Sequence, residues 1–99
     1  VAELDSLIHQ PARLRVMAAL TALPLGATAD FTTLGRLLKL TDGNLGAHLA
    51  SLEEAGYIKA EKLFVDRKPR TRLSATRLGR ARFREHVEAL RGIIEGGTA

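Results

Sequence analysis

The chain has 99 residues, 45% of them hydrophobic and 26% charged, a length and balance suited to one domain around a single core. It has no cysteine, which excludes a disulfide framework and every thiolate metal site. The net charge of +4 is unevenly spread: residues 1–56 hold four basic and six acidic side chains, residues 57–99 eleven and five. A basic second half points to a polyanionic partner, nucleic acid first among them; the plainer alternative is a solvated basic face. The longest apolar stretch, Val16 into Leu25, is broken by Thr21 and Pro24. It falls short of the about 18 uninterrupted apolar residues that cross a bilayer. No basic segment leads into an apolar run, so no signal peptide is expected, and valine at position 1 points to a trimmed start. A cytoplasmic domain spanning residues 1–99 is the expectation.

In chain order, Leu4, Leu7 and Ile8 are spaced for one or two helical turns within residues 3–10. Pro11 is placed for the first position of a helix carrying Leu14, Met17, Ala18 and Leu20 on one face, which Pro24 and Gly26 stop. Asp30, Phe31 and Thr32 form a brief extended link, with Thr32 a candidate N-cap for a helix over residues 32–39 with a Leu34, Leu37 and Leu38 stripe. Thr41 can cap a third helix over residues 41–55 that turns Leu45, Leu49 and Leu52 inward and ends at Gly56. Two helices so closely joined make a helix-turn-helix candidate. Residues 57–65 and 71–75 read as strands around the charged tip Asp66-Arg67-Lys68-Pro69-Arg70. Thr76 caps a last helix over residues 77–95 with Phe83, Val87, Leu90 and Ile94 at helical spacing, and Gly96-Gly97 lets the chain fray. The expected fold is mainly α with a small β-hairpin wing, a winged helix-turn-helix.

From Leu40-Thr41-Asp42-Gly43-Asn44 through Gly56-Tyr57-Ile58, the sequence resembles the recognition-helix segment of MarR/ArsR-type bacterial and archaeal transcriptional regulators. The stretch from Arg70 to Arg80 is similar to their second wing strand and following helix start, and His9 to Met17 to their first-helix pattern. The likeness spans roughly residues 4–90. It implies a sequence-specific regulator of double-stranded DNA, with helix 41–55 in the major groove and wing 65–72 on backbone or minor groove.

The residues support this independently. A helix in the major groove needs small residues where its backbone nears DNA and polar groups near its N-terminus. Gly43, Gly46, Ala47 and Ala50 meet the first need, while Thr41, Asn44, His48 and Ser51 are the available readers. Small residues can also mark a tight bundle, yet a helix-interior glycine costs about 1 kcal/mol relative to alanine, so two on an exposed face ask for an external reason. In the wing, Arg67, Lys68, Arg70 and Arg72 surround one acid, Asp66. Charge on an edge hairpin can simply prevent aggregation, which explains one or two lysines better than four cations. Arg77, Arg80, Arg82 and Arg84 extend the basic run, some of them as partners of Glu85 or Glu88.

Surplus apolar residues at both ends, Leu4, Leu7 and Ile8 with Phe83, Val87, Leu90 and Ile94, predict a homodimer through the terminal helices. The histidines His9, His48 and His86 are too sparse for a metal site, and no cofactor is expected. No phosphate-binding glycine loop and no nucleophile elbow occurs, and His48 with Ser51 lacks a third group to orient the imidazole, so no catalytic residue is assigned. Two other readings stay open: a winged-helix protein–protein module, and an effector-sensing regulator with a small-ligand pocket between the terminal helices and the core.

Overall fold

The computed structural model describes residues 3–96, so Gly97 of the expected frayed end lies outside the described residues. Four helices and three strands follow in the order α1 (Pro11–Thr21), β1 (Ala29–Asp30), α2 (Phe31–Leu38), α3 (Asp42–Glu54), β2 (Ile58–Val65), β3 (Lys68–Ala75) and α4 (Arg77–Gly96). Pro11 opens α1 as expected, and the Gln10 side chain accepts from the Arg13 N–H to cap it. The α2 helix begins one residue before the predicted cap. Asp30, not Thr32, is the N-cap, and its carboxylate accepts from the N–H groups of Thr32 and Thr33. The expected extended link is a short strand, β1, paired antiparallel with β3 through Ala29 with Leu73 and Asp30 with Arg72. The sheet is therefore three-stranded, in the order β1-β3-β2.

Thr41 caps α3 by accepting from the Asn44 N–H, and Gly56 at φ +80 ends it, with the Tyr57 N–H donating back to the Leu52 carbonyl. The turn between α2 and α3 places Lys39 at φ 56, from which the Leu40 N–H closes onto the Gly35 carbonyl. Strand β3 starts at Lys68, three residues before the sequence suggests, and pairs with β2 in full register from Ile58 with Ala75 to Val65 with Lys68.

The core joins Ile8, Val16, Met17 and Leu20 to Leu34, Leu38, Leu45, Leu49, Leu52, Ile58 and Leu73. Three expectations fail here, the first at Ala18 of α1, which is exposed while Val16 is buried in its place. Leu37 is 66% exposed, because an eight-residue helix turns only Leu34 and Leu38 of that stripe inward. Ile8, expected at a dimer interface, is 0% exposed in its own chain, and Leu7 and Phe83 also pack partly against this core. The reason is local. Residues 3–10 form no helix but a single turn, in which the Asp5 carbonyl accepts from the His9 N–H at 2.8 Å and the Asp5 carboxylate accepts from the Leu7 and Ile8 N–H groups. That turn rolls Ile8 inward.

Arginines close two helix ends. Arg15 donates to the Leu38 carbonyl at the end of α2, and Arg80 donates to the Thr21 and Leu23 carbonyls beyond α1. Arg80 is thus committed to the fold, and Arg82 pairs with Glu85 at 3.2 Å, as the sequence allowed. Among the described residues, no helix is long and apolar enough to cross a membrane.

Candidate nucleic-acid interface

Helix α3 buries Leu45, Leu49 and Leu52 and leaves Asp42, Gly43, Asn44, Ala47, Ala50 and Glu54 exposed. At about 100° per residue, the middle of the exposed face is Gly43, Ala47 and Glu54. Asn44, His48 and Ser51 flank it on one side, with His48 and Ser51 half-buried; Ser51 also donates to the Ala47 carbonyl. Gly46 and Ala50 flank it on the other side, where they line a groove with Leu49, Phe31 and the sheet residues Ala60, Lys62 and Thr71. The helix thus carries its uncharged polar groups on one shoulder and turns Gly46 and Ala50, with the acidic Glu53, toward the hairpin. A Cβ added at Gly43 or Gly46 would meet nothing within 4 Å, so packing inside this chain does not require either glycine. Thr41 is exposed, and its Oγ1 is engaged as the cap.

The four wing cations are not equivalent. Leu73 and Ile58 turn one face of the hairpin to the core, and by strand alternation Lys68, Arg70 and Arg72 lie on the opposite face. Arg70 lies 3.8 Å from Asp30, and Arg72 stands across the sheet from Asp30 on one side and Glu61 on the other. These acids, Asp30 by its contact and Glu61 by its place across the ladder, offset part of the row's charge. Arg67 sits in the two-residue turn itself, where Asp66 at φ 51 and Arg67 at φ 65 give the two positive φ angles of a type I′ hairpin. An arginine costs about 1–2 kcal/mol in that left-handed region, which glycine occupies freely. The sequence reading missed Lys62, which alternation places on the groove side with Ala60; counting strand parity from Ile58 finds it.

The histidines divide as well. His48 stays on α3, whereas His9 and His86 meet edge to face with centroids 5.4 Å apart. Among the described residues, no group of three or more His, Cys, Asp or Glu side chains is gathered for a metal ion. A second groove, of about 400 Å³, lies between α4 and the end of α1 and is lined by Thr21, Arg80, Phe83, Arg84, Val87, Glu88 and Arg91.

Comparison with known proteins agrees with this geometry. The profile of the winged helix DNA-binding domain family matches residues 12–94. The structure is similar to that of a transcriptional regulator homologue from Pyrococcus horikoshii OT3, with a TM-score of 0.83 and 31% identity over 94% of this chain and 89% of that one. A MarR family regulator from Neisseria meningitidis, NMB1585, shares the fold at a TM-score of 0.58 and 19% identity, over 84% of this chain and 56% of that one. FabT of Streptococcus pneumoniae, solved in complex with DNA, does so at a TM-score of 0.59 and 22% identity, over 91% of this chain and 64% of that one. Matched over most of its length, the chain belongs to the winged helix DNA-binding domain family.

Proposed function

We propose that the protein is a sequence-specific regulator that lays α3 in the major groove of double-stranded DNA and its wing on the adjoining backbone or minor groove. The carrying observation is the exposed face of α3, where Asn44 and Ala47 stand beside Gly43, with the half-buried Ser51 on one shoulder and Gly46 on the other, and no packing in the chain requires either glycine. Asn44 and His48 would read base edges, Ser51 and Thr41 would hold the neighbouring backbone, and Ala47 would admit the helix closely. Arg67 and Lys68 at the wing tip would reach phosphates or the minor groove, with Arg70 and Arg72 behind them as a weaker row. The DNA-bound state of FabT supports the same partner for this chain. The working unit in this reading is a homodimer in the cytoplasm, its two recognition helices set about 34 Å apart on successive turns of DNA.

Selection of bound duplexes from a random library tests this directly. An enriched palindrome is expected, and no enrichment would remove sequence specificity. Affinity should fall steeply with salt, by a slope of about 0.9 in log K per phosphate contact. Insensitivity to salt would instead favour a protein-binding module. Asn44→Ala should cost about 1–3 kcal/mol on the selected site and little on random duplex.

A further inference from the structure

The chain has four aromatic residues, and three of them, Phe31, Tyr57 and Phe83, pack against the core. The fourth, Phe64, is 76% exposed near the end of the wing. We propose that Phe64, backed by Pro69, is an apolar DNA contact of the wing that packs on deoxyribose at the edge of the minor groove. This rests on the DNA-binding reading above and adds a residue whose contribution is not electrostatic.

Three observations lead there. First, alternation along β2 puts Phe64 on the same face as Ile58, Ala60 and Lys62, and the register sets it opposite Pro69. That face lines the groove beside Gly46 and Ala50 of α3, so Phe64 prolongs the helix-facing side of the hairpin outward, past the core. Second, the ladder is paired up to Val65 with Lys68 and closed by a two-residue turn, so Phe64 is held in place before any partner arrives. Third, cations outnumber acids around it along the hairpin: Lys62 lies on its own face, and Arg67 and Lys68 stand at the tip beside a single acid, Asp66. An apolar protein surface seated on Phe64 would have to strip water from those charges with only Asp66 in the tip to pair them. A nucleic-acid groove edge offers an apolar sugar face flanked by phosphates and so satisfies both. A single exposed aromatic needs no partner in general; one set among cations on the face that prolongs a recognition groove does. Apolar side chains in the minor groove are an established way for proteins to add contact there.

The test is fluorescence anisotropy across a salt series, on the duplex enriched by selection and on a random duplex of equal length. Phe64→Ala should bind about tenfold more weakly on both duplexes, since a sugar contact carries no base information. The salt slope should match the wild type, because no charge is lost. Phe64→Leu should recover most of the affinity, and thermal melts should stay unchanged because the side chain is exposed. The chain has no tryptophan, so Phe64→Trp provides a single reporter, whose emission should shift when duplex is added. Unchanged affinity in Phe64→Ala, or indole emission of the Phe64→Trp chain that is indifferent to bound DNA, would overturn the proposal. So would a Phe64→Ala chain that keeps its affinity but loses self-association, which would assign the face to a second copy. A wild type that binds no duplex removes the DNA reading itself, a different failure.

Discussion

The backbone N–H of Asp5 donates to Nδ1 of His86 at 2.9 Å, joining residues 81 positions apart. His86 is fully buried, and with Nδ1 accepting, the imidazole is neutral with its proton on Nε2, which has no hydrogen-bond partner among the described residues. The Asp5 carboxylate meanwhile caps the N-terminal turn and accepts from the Tyr57 hydroxyl at 2.5 Å. One network therefore ties residues 3–10 to α4 and to the start of β2.

That network predicts acid sensitivity. Burial and, after it, the adjacent His9 hold His86 below its ordinary 6.5, with the Asp5 carboxylate pulling the other way. The folded chain thus takes up the proton less readily than the unfolded one. The His86 contribution is complete above about pH 6.5 and is lost as pH falls toward the depressed folded value. Burial pushes the Asp5 carboxyl up, but the bonds from Tyr57, Ile8 and Leu7, and then the positive charge that His86 takes on in acid, outweigh it and hold it below 3.8. Its contribution is lost only in stronger acid. Thermal melts should be flat above about pH 7 and decline toward pH 5, and His86→Gln should flatten that decline. An unchanged slope in the variant would place the proton uptake elsewhere.

Gly79 is fixed by a backbone approach. A Cβ there would collide with the Tyr57 carbonyl oxygen, which is backbone and cannot step aside. Gly79→Ala should destabilise by about 3 kcal/mol or more, or leave the chain unfolded. Gly92→Ala, on the same helix with nothing within 4 Å, should stabilise by up to about 1 kcal/mol. Urea denaturation of the pair checks both signs, and equal effects would mean that α4 does not sit against Tyr57.

The contrast between Gly79 and Gly92 shows what the sequence could and could not reveal. Pattern and caps made α1, α3, the hairpin and α4 legible, because Pro11, Thr41, Gly56 and Thr76 act through their immediate neighbours. The cap of α2 is ambiguous in the sequence because Asp30 and Thr32 are both good caps, and the pairing of β1 with β3 decides between them. Local spacing turns Ile8 outward, because its burial depends on Asp5 meeting His86, a contact that spacing does not reveal. In the candidate site the residue types were legible, but the division of the wing was not. Lys68, Arg70 and Arg72 fall on one face and Lys62 and Phe64 on the other only once the register with β2 is known.

On α3, stability and binding should move in opposite directions. Gly43→Ala and Gly46→Ala fit without contact inside the chain and should each stabilise by about 0.5–1 kcal/mol. If the helix backbone comes close to DNA at these points, the added methyl should weaken binding to selected and random duplexes alike. Melting curves and anisotropy on the same samples make the comparison. Stabilised variants with undiminished affinity would show that α3 does not approach DNA along this face.

The wing tip offers the same test through backbone conformation. Arg67 holds a φ of 65, which glycine would adopt without cost. Arg67→Gly should therefore stabilise the hairpin by up to about 1–2 kcal/mol while removing one phosphate or minor-groove contact. The salt slope of binding should fall by about 0.9 if that contact is to phosphate. Lys68→Ala should lower the slope similarly without the gain in stability, so the two variants separate turn strain from charge. A variant that gains stability and loses no affinity would leave the left-handed arginine without a role in binding.

The dimer is best tested at the far end of α4. Ile94 is 79% exposed and Ile93, which the sequence reading left out, is 50% exposed, with Leu4 40% exposed at the other end of the chain. Val87 and Leu90 are half-buried in their own chain, so a charge there would disturb the monomer before it reported on any interface. Ile94→Glu avoids that problem, since the residue touches solvent on most of its surface. Covering such a side chain is worth roughly 1.5–3 kcal/mol, and a two-fold axis counts each loss twice. Sedimentation equilibrium at micromolar concentration should find a dimer for the wild type and a shift toward monomer for Ile94→Glu, with thermal stability of the fold retained. Binding to a palindromic duplex should weaken, while a duplex carrying one half-site should be bound as before. A wild type that is monomeric under these conditions refutes the dimer, and a dimer indifferent to Ile94→Glu places the two-fold interface away from the end of α4.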